Sequence, residues 1–228
     1  MTAVPEPVLL AVDLVILTLR EGRLNVLLIE RQEDPYGGSW ALPGGFVGHD
    51  EDIADAAHRV LAEEADLGSQ AVHLEQVQVF AAPGRDPRGR VVSVTSMALG
   101  ADLPDPRRGS EVADARWWPV ADHAGIRLAF DHEHMLEVAV EQARTQLEHS
   151  ALALSFLPEK FTISQLRGVY ESVWGTMLDP GNFHRKVTRT TDFVIELDEH
   201  AAPTGGRPAR LYRAGDGSAL FPPLLRSE

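Results

Sequence analysis

The chain has 228 residues, 44% of them apolar and 24% charged, which excludes wholesale disorder and suits two domains that each bury a core. It contains no cysteine, which excludes disulfide scaffolds, thiolate zinc sites and cysteine nucleophiles; with no basic leader, and an apolar run Val8 to Leu19 broken by Asp13 and too short for a bilayer, the expected location is cytoplasmic. The net charge of −13 is uneven: residues 1–151 carry 12 basic and 25 acidic side chains, residues 152–228 carry 9 and 9, so any contact with nucleic acid is expected from clustered arginines in the neutral C-terminal part.

The first 130 residues alternate in type. Val8–Leu19 and Leu24–Ile29 read as strands joined at Glu21-Gly22. A loop with Pro35, Gly37 and Gly38 follows, then a short extended stretch over Trp40–Val47. Ile53, Ala56, Ala57, Val60 and Leu61 recur at helical spacing within Asp52–Ala65. Leu74–Ala81 and Val91–Leu99 read as strands linked by the turn-rich Pro83–Gly89, Ala115–Pro119 as a short strand, and Asp131 to Leu147 as a long helix. Strands mixed with two helices predict an α+β domain or an α/β/α sandwich over residues 1–150.

After residue 150 the pattern changes. Thr162 and Gln165 are spaced as a capping box, and Ile163, Leu166, Tyr170, Val173 and Met177 continue as an amphipathic helix interrupted near Gly175. Asp179-Pro180 starts a further helix, running to about Thr190, with Phe183 and Val187 inward. Phe193–Leu197 and Ala209–Arg213 read as a hairpin around Thr204–Pro208. Helix, turn, helix, hairpin is the order of a winged helix-turn-helix, predicted over residues 151–228. The fold class is therefore α+β.

Gly45, Glu51, Arg59, Leu61, Glu63, Glu64 and Leu67 fall on the pattern G-x5-E-x7-R-E-U-x-E-E-x-G-U, where U is a bulky apolar residue, and Leu42-Pro43-Gly44 precedes it. The segment resembles the Nudix box. The resemblance implies a Nudix-like domain, whose family hydrolyses nucleoside diphosphates linked to another group, with box carboxylates holding Mg²⁺. Two positions depart: Val60 stands where the family has a metal-binding Glu, and Asp66 where it has Gly. Glu63 and Glu64 remain as candidate metal and catalytic carboxylates. Glu64 falls near Ile53 and Val60 on the apolar side of the helix, so it needs a partner, either Arg59 in a structural bridge or a cation. With one ligand lost, structural pairing with Arg59 is expected over productive catalysis, and no metal is expected to be required, though Mg²⁺ binding stays open.

Arg31, Arg85 and Arg88 are candidate contacts for an anionic ligand, because guanidinium groups suit bidentate phosphate recognition; the alternative for the Arg85–Arg88 loop is a solvated surface turn. In the C-terminal part, Asn182, Arg185, Lys186 and Arg189 share one face of the second helix. Arg reads guanine edges and Asn adenine. Thr162 and Ser164 at the start of the first helix, and Arg207 and Arg210 beside Pro208 in the hairpin, complete the candidate DNA contacts. Asp131-His132-Glu133-His134 looks metal-like, but two His at i, i+2 diverge by about 200° on a helix and cannot share a metal; an Asp-capped helix start is the better reading. Trp117-Trp118-Pro119 is expected to pack in core and interface.

Together the degenerate box, Pro83–Gly89, Ala129–His132, Asn182–Lys186 and Gly205–Arg213 resemble the NrtR family of Nudix-related transcriptional regulators over nearly the whole chain. The resemblance implies a homodimeric repressor of NAD-metabolism genes that binds double-stranded operator DNA and is released by ADP-ribose or a related nucleotide. Two alternatives stand beside it: an active Mg²⁺-dependent hydrolase of ADP-ribose, and a hydrolase that destroys its own inducer. Val60 argues against both.

Overall fold

In the computed structural model, residues 7–63, 67–68, 72–106, 112–202 and 208–226 are described. Strand β1 (Leu9–Arg20) turns directly into β2 (Arg23–Arg31). Glu21 and Gly22 make the turn with φ of 52° and 71°, the left-handed pair that matches the twist of a two-residue hairpin. Then come β3 (Trp40–Ala41), β4 (Gly44–Phe46), α1 (Ile53–Glu63), β5 (His73–Phe80), β6 (Val91–Leu99) and β7 (Val112–Pro119). A single 3-10 segment, Val120–Gly125, leads towards α2 (His132–His149).

The described strands form a mixed sheet in the order β3-β2-β1-β6-β5, with β4 added to β1 and β7 to β2. β1 and β6 run parallel, in register from Leu9 beside Val91 to Leu17 beside Leu99. Side chains alternate across a strand. Val12, Leu14 and Ile16 therefore turn one way and bury themselves against Ala56, Ala57, Val60 and Leu61 of α1. Asp13 turns the other way and meets His132, the first residue of α2.

Contacts divide the chain into two compact units: Met1–Leu17 with Asn25–Leu99 and Leu103–Ala139, and Thr18–Leu24 with Gly100–Asp102 and Val140–Glu228. In the second, Ser150 caps a 3-10 segment, Ala151–Phe156. Helix α3 (Ile163–Trp174) opens with the capping box, Thr162 and Gln165 each bonding the other's backbone N–H, and closes on Gly175 at a φ of 69°. Helix α4 (Pro180–Arg189) is capped by the Asp179 side chain with Pro180 in the first turn. Strands β8 (Val194–His200) and β9 (Arg210–Ala214) form the hairpin, and Phe161 exchanges two backbone hydrogen bonds with Tyr212 of β9. Phe161, Tyr170 and Phe193 are wholly buried at its centre, and the Tyr170 ring meets Trp174 and Phe183 edge-on.

Element types follow the expected order. The extended stretch over 40–47 resolves into β3 and β4 on either side of Leu42-Pro43, because each pairs with a different strand. The two 3-10 segments were not anticipated, since one turn is too short to set a period. Among the described residues no helix is long and apolar enough to cross a membrane.

Candidate functional site

A cavity of about 770 Å³ opens on the face of the sheet that carries Asp13. β1 supplies Asp13, β2 Arg31, β4 Gly44 to Phe46, α1 Arg59 and Glu63, the β5–β6 loop Arg85 to Arg88, and the start of α2 Phe130 and His132. Arg31 of β2 and the Arg85–Arg88 loop, far apart in the chain, are thus brought to one cavity.

Each arginine is already held. The Arg85 side chain is buried, and its Nε and Nη2 donate to the two Asp131 oxygens at 2.9 and 2.6 Å. Asp131 therefore does more than begin a helix. Arg88 donates to Asp86, with Nη2–Oδ2 at 2.6 Å. Burial raises the Asp86 carboxyl, but side-chain and backbone bonds from Arg88 outweigh it and leave the pKa lowered. The Arg88 guanidinium lies over the rings of Phe46 at 4.7 Å and Phe130 at 5.2 Å, and Arg31 covers Phe130 at 5.0 Å. This stack of cations on aromatic faces anchors the loop at the cavity, while Pro83, Gly84, Pro87, Arg88 and Gly89 stay exposed.

The box helix is fastened through Arg59. Arg59 donates to both oxygens of Glu51, at 2.8 and 2.9 Å, and to the Phe46 carbonyl at 3.0 Å. The Arg59 bonds, seconded by the Gly48 N–H, hold the Glu51 carboxyl down at about 2. Glu63 stands 3.5 Å from the same guanidinium. The bridge from Arg59 therefore runs to Glu51 and Glu63, while Glu64, the partner expected from the sequence, and Asp66 lie outside the described residues. Val60 is fully buried against α1's apolar neighbours. It puts methyl groups into the core where the box pattern has a metal-binding carboxylate. Among the described residues no three potential ligands converge, and Glu63 is drawn to Arg59.

Two residues of the cavity escaped sequence reasoning. His132 is buried, accepts from the Leu42 N–H through Nδ1 at 2.9 Å, and is kept neutral by burial, which lowers its pKa. Asp13 faces it across 3.5 Å. A lone carboxylate in an apolar strand was the available signal for Asp13; for His132 there was none beyond its place in a helix start.

In the second unit, Phe183 and Val187 of α4 are buried while Asn182, Arg185 and Arg189 are exposed and Lys186 half-buried, the division expected. The Arg185 Nη2 donates to Asn182 Oδ1 at 2.7 Å, so the two polar groups form one surface unit. Ser164 is exposed at the start of α3. Thr162 is buried, and its hydroxyl accepts from the Gln165 N–H at 3.2 Å as the cap of α3. Arg210 pairs with Glu196 across the hairpin. Arg207 lies outside the described residues.

Residues 8–139 match the NUDIX domain family and residues 153–214 the NrtR DNA-binding winged helix domain. The chain is 34% identical, over 97% of its length and 88% of the relative's, to the ADPR responsive transcriptional repressor NtrR of Acinetobacter baylyi. It is similar to the crystal structure of Shewanella oneidensis NrtR complexed with a 27mer DNA, at 31% identity and a TM-score of 0.80 over 95% of this chain and 99% of that one. The NUDIX domain of the Shewanella protein complexed with ADP ribose matches at 35% identity and a TM-score of 0.52, over 60% of this chain and 89% of that one.

Proposed function

This chain belongs to the NrtR family of Nudix-domain transcriptional regulators, and we propose that it is a repressor of NAD-metabolism genes that ADP-ribose or a related nucleotide releases from operator DNA. The observation that carries this is the match, over 97% of the chain, to a relative named as an ADPR responsive repressor. The arginine-lined cavity supports the ligand, because a diphosphate is the group that Arg31, Arg85 and Arg88 together suit. The exposed face of α4 supports the DNA contact.

Residues 1–150 sense the ligand and residues 151–228 bind DNA through Ser164, Asn182, Arg185, Lys186, Arg189, Arg207 and Arg210. As a homodimer, the protein offers two α4 helices to two half-sites. Release requires that ADP-ribose bind the DNA-free form more tightly than the DNA-bound one; equal affinity shifts nothing. Hydrolysis is not part of the cycle: Val60 removes a carboxylate of the box, and Mg²⁺ is not required. The alternative, a Mg²⁺-dependent hydrolase of ADP-ribose, demands turnover despite Val60.

The test is a mobility shift on DNA upstream of the protein's own gene and of NAD-synthesis genes, with and without ADP-ribose. A shifted band that ADP-ribose dissolves is the expected result. A band indifferent to ADP-ribose, or no band at all, refutes the proposal.

A further inference from the structure

Asp13 is the one acidic residue of β1, set in an otherwise apolar run. It is 7% exposed yet lines the cavity. A carboxylate so far out of water needs compensation, and its two oxygens can accept about four hydrogen bonds. Among the described residues it receives one good one, from Ser93 Oγ to Oδ2 at 2.5 Å.

The nearby cations and donors are committed elsewhere. Arg85 gives its two-pronged contact to Asp131 at 2.6 and 2.9 Å and stays 3.9 Å from Asp13 Oδ2. His132 uses Nδ1 as an acceptor from Leu42, so the ring proton sits on Nε2. That nitrogen faces Asp13 Oδ1 from 3.5 Å, too far for a good hydrogen bond. A donor and an acceptor at this separation both lie within hydrogen-bond reach of one oxygen set beside them, off the line that joins them, and a hydroxyl supplies both a proton and lone pairs. Gly44 makes room for the arrangement: a Cβ there would come within 2.2 Å of Asp13 Oδ1.

We propose that Asp13 and His132 form a sugar-hydroxyl receptor in the cavity wall, Asp13 Oδ1 accepting from a ribose hydroxyl of the bound nucleotide and His132 Nε2 donating to the same oxygen. This rests on the nucleotide-sensing role proposed above and adds what selects the ligand: the arginines hold a diphosphate that many nucleotides share, whereas Asp13 reads the sugar. ADP-ribose carries two candidate sugars, the adenosine ribose and the terminal one, and the same chemistry serves either.

The experiment is calorimetry on the full chain, wild type and Asp13→Asn, with ADP-ribose, ADP and 2′,3′-dideoxy-ADP. The substitution is expected to weaken the hydroxyl-bearing ligand by roughly ten- to a hundredfold, the range for a hydrogen bond to a charged group, and to leave 2′,3′-dideoxy-ADP unaffected. Loss confined to ADP-ribose assigns the terminal ribose to Asp13. Loss shared by ADP-ribose and ADP assigns the adenosine ribose. Equal loss for all three ligands in a variant that keeps the wild-type unfolding transition, or no loss for any, overturns the proposal. If Asp13→Asn does not fold, the wild type decides: binding 2′,3′-dideoxy-ADP as tightly as ADP-ribose overturns it, and a clear preference for ADP-ribose supports it. A wild type that binds none of the three overturns the nucleotide-sensing role itself, a result distinct from failure of the hydroxyl receptor alone.

Discussion

Glu51 and Arg59 form a two-pronged ion pair, Nε to Oε1 at 2.8 Å and Nη2 to Oε2 at 2.9 Å, that ties the loop before α1 to the helix itself. The same carboxylate accepts from the Gly48 N–H at 2.9 Å, and Arg59 reaches the Phe46 carbonyl. One pair thus fixes the strand β4, the loop and the helix that together bound one side of the cavity.

A pH dependence follows from it. Glu51 titrates at about 2 in the folded chain, against 4.5 ordinarily. A carboxylate whose pKa is depressed by folding contributes stability above its unfolded pKa and loses it as pH falls towards the folded one. Wild type is therefore expected to unfold at a higher temperature than Glu51→Gln near neutrality, and the gap is expected to close as pH drops from 4.5 towards 2. Thermal unfolding of both proteins across that range checks it; a gap that stays constant with pH contradicts the role given to the pair.

Gly44→Ala is expected to injure the cavity. The added carbon would stand 2.2 Å from Asp13 Oδ1 and 2.7 Å from the Val12 carbonyl; the first belongs to a short side chain bonded by Ser93 and the second to the backbone. Overpacking of this kind costs about 1–3 kcal/mol. Lower thermal stability together with weaker ADP-ribose binding is the expected outcome, measured by calorimetry of unfolding and of titration. Unchanged values for both would mean that β4 shifts freely.

Wild-type protein supplied with Mg²⁺ is expected to release little or no AMP from ADP-ribose, because Val60 stands in the core where the box pattern carries a carboxylate. Val60→Glu is expected to lower stability, since a carboxylate taken from water into an apolar cluster costs several kcal/mol unless paired. Chromatographic detection of AMP tests the first expectation and a melting curve the second; robust metal-dependent turnover by the wild type would reinstate the hydrolase.

What could be read in advance was local. Thr162 with Gln165, and Asp179 with Pro180, announce their helices within a few residues, and both caps stand where expected. The Nudix-box spacing located α1, but the two-pronged pairing of Arg59 with Glu51 was not legible, since a helical wheel cannot see a loop folding back on the helix. Arg31, Arg85 and Arg88 were recognisable one at a time; Asp86 anchors Arg88 from two residues away, but the anchors Asp131 and the Phe130 ring depend on how the β5–β6 loop meets the start of α2. Asp13 and His132 lie 119 positions apart, and only the packing of α2 against the sheet brings them to 3.5 Å.

The last prediction separates the two activities. Arg185→Ala is expected to cripple operator binding, because its guanidinium is exposed on α4 and braced by Asn182 at 2.7 Å, as a base-reading or phosphate-holding pair should be. Loss of a bidentate base contact costs about 1–3 kcal/mol, roughly five- to 150-fold in affinity. Lys186→Ala, proposed to remove a phosphate contact, should instead lower the magnitude of the log–log salt slope by about one. ADP-ribose binding to either variant is expected to stay near wild type. Arg85→Ala should do the reverse, keeping DNA bound but raising the ADP-ribose concentration needed for release. It also strips Asp131 of its partner, so the double variant Arg85→Ala/Asp131→Asn is the cleaner probe, since it removes the charge left unpaired. Mobility shifts for DNA and calorimetry for ligand, on all four variants, decide the matter. Loss of DNA binding in Arg85→Ala/Asp131→Asn with none in Arg185→Ala would show that the two roles have been assigned to the wrong units.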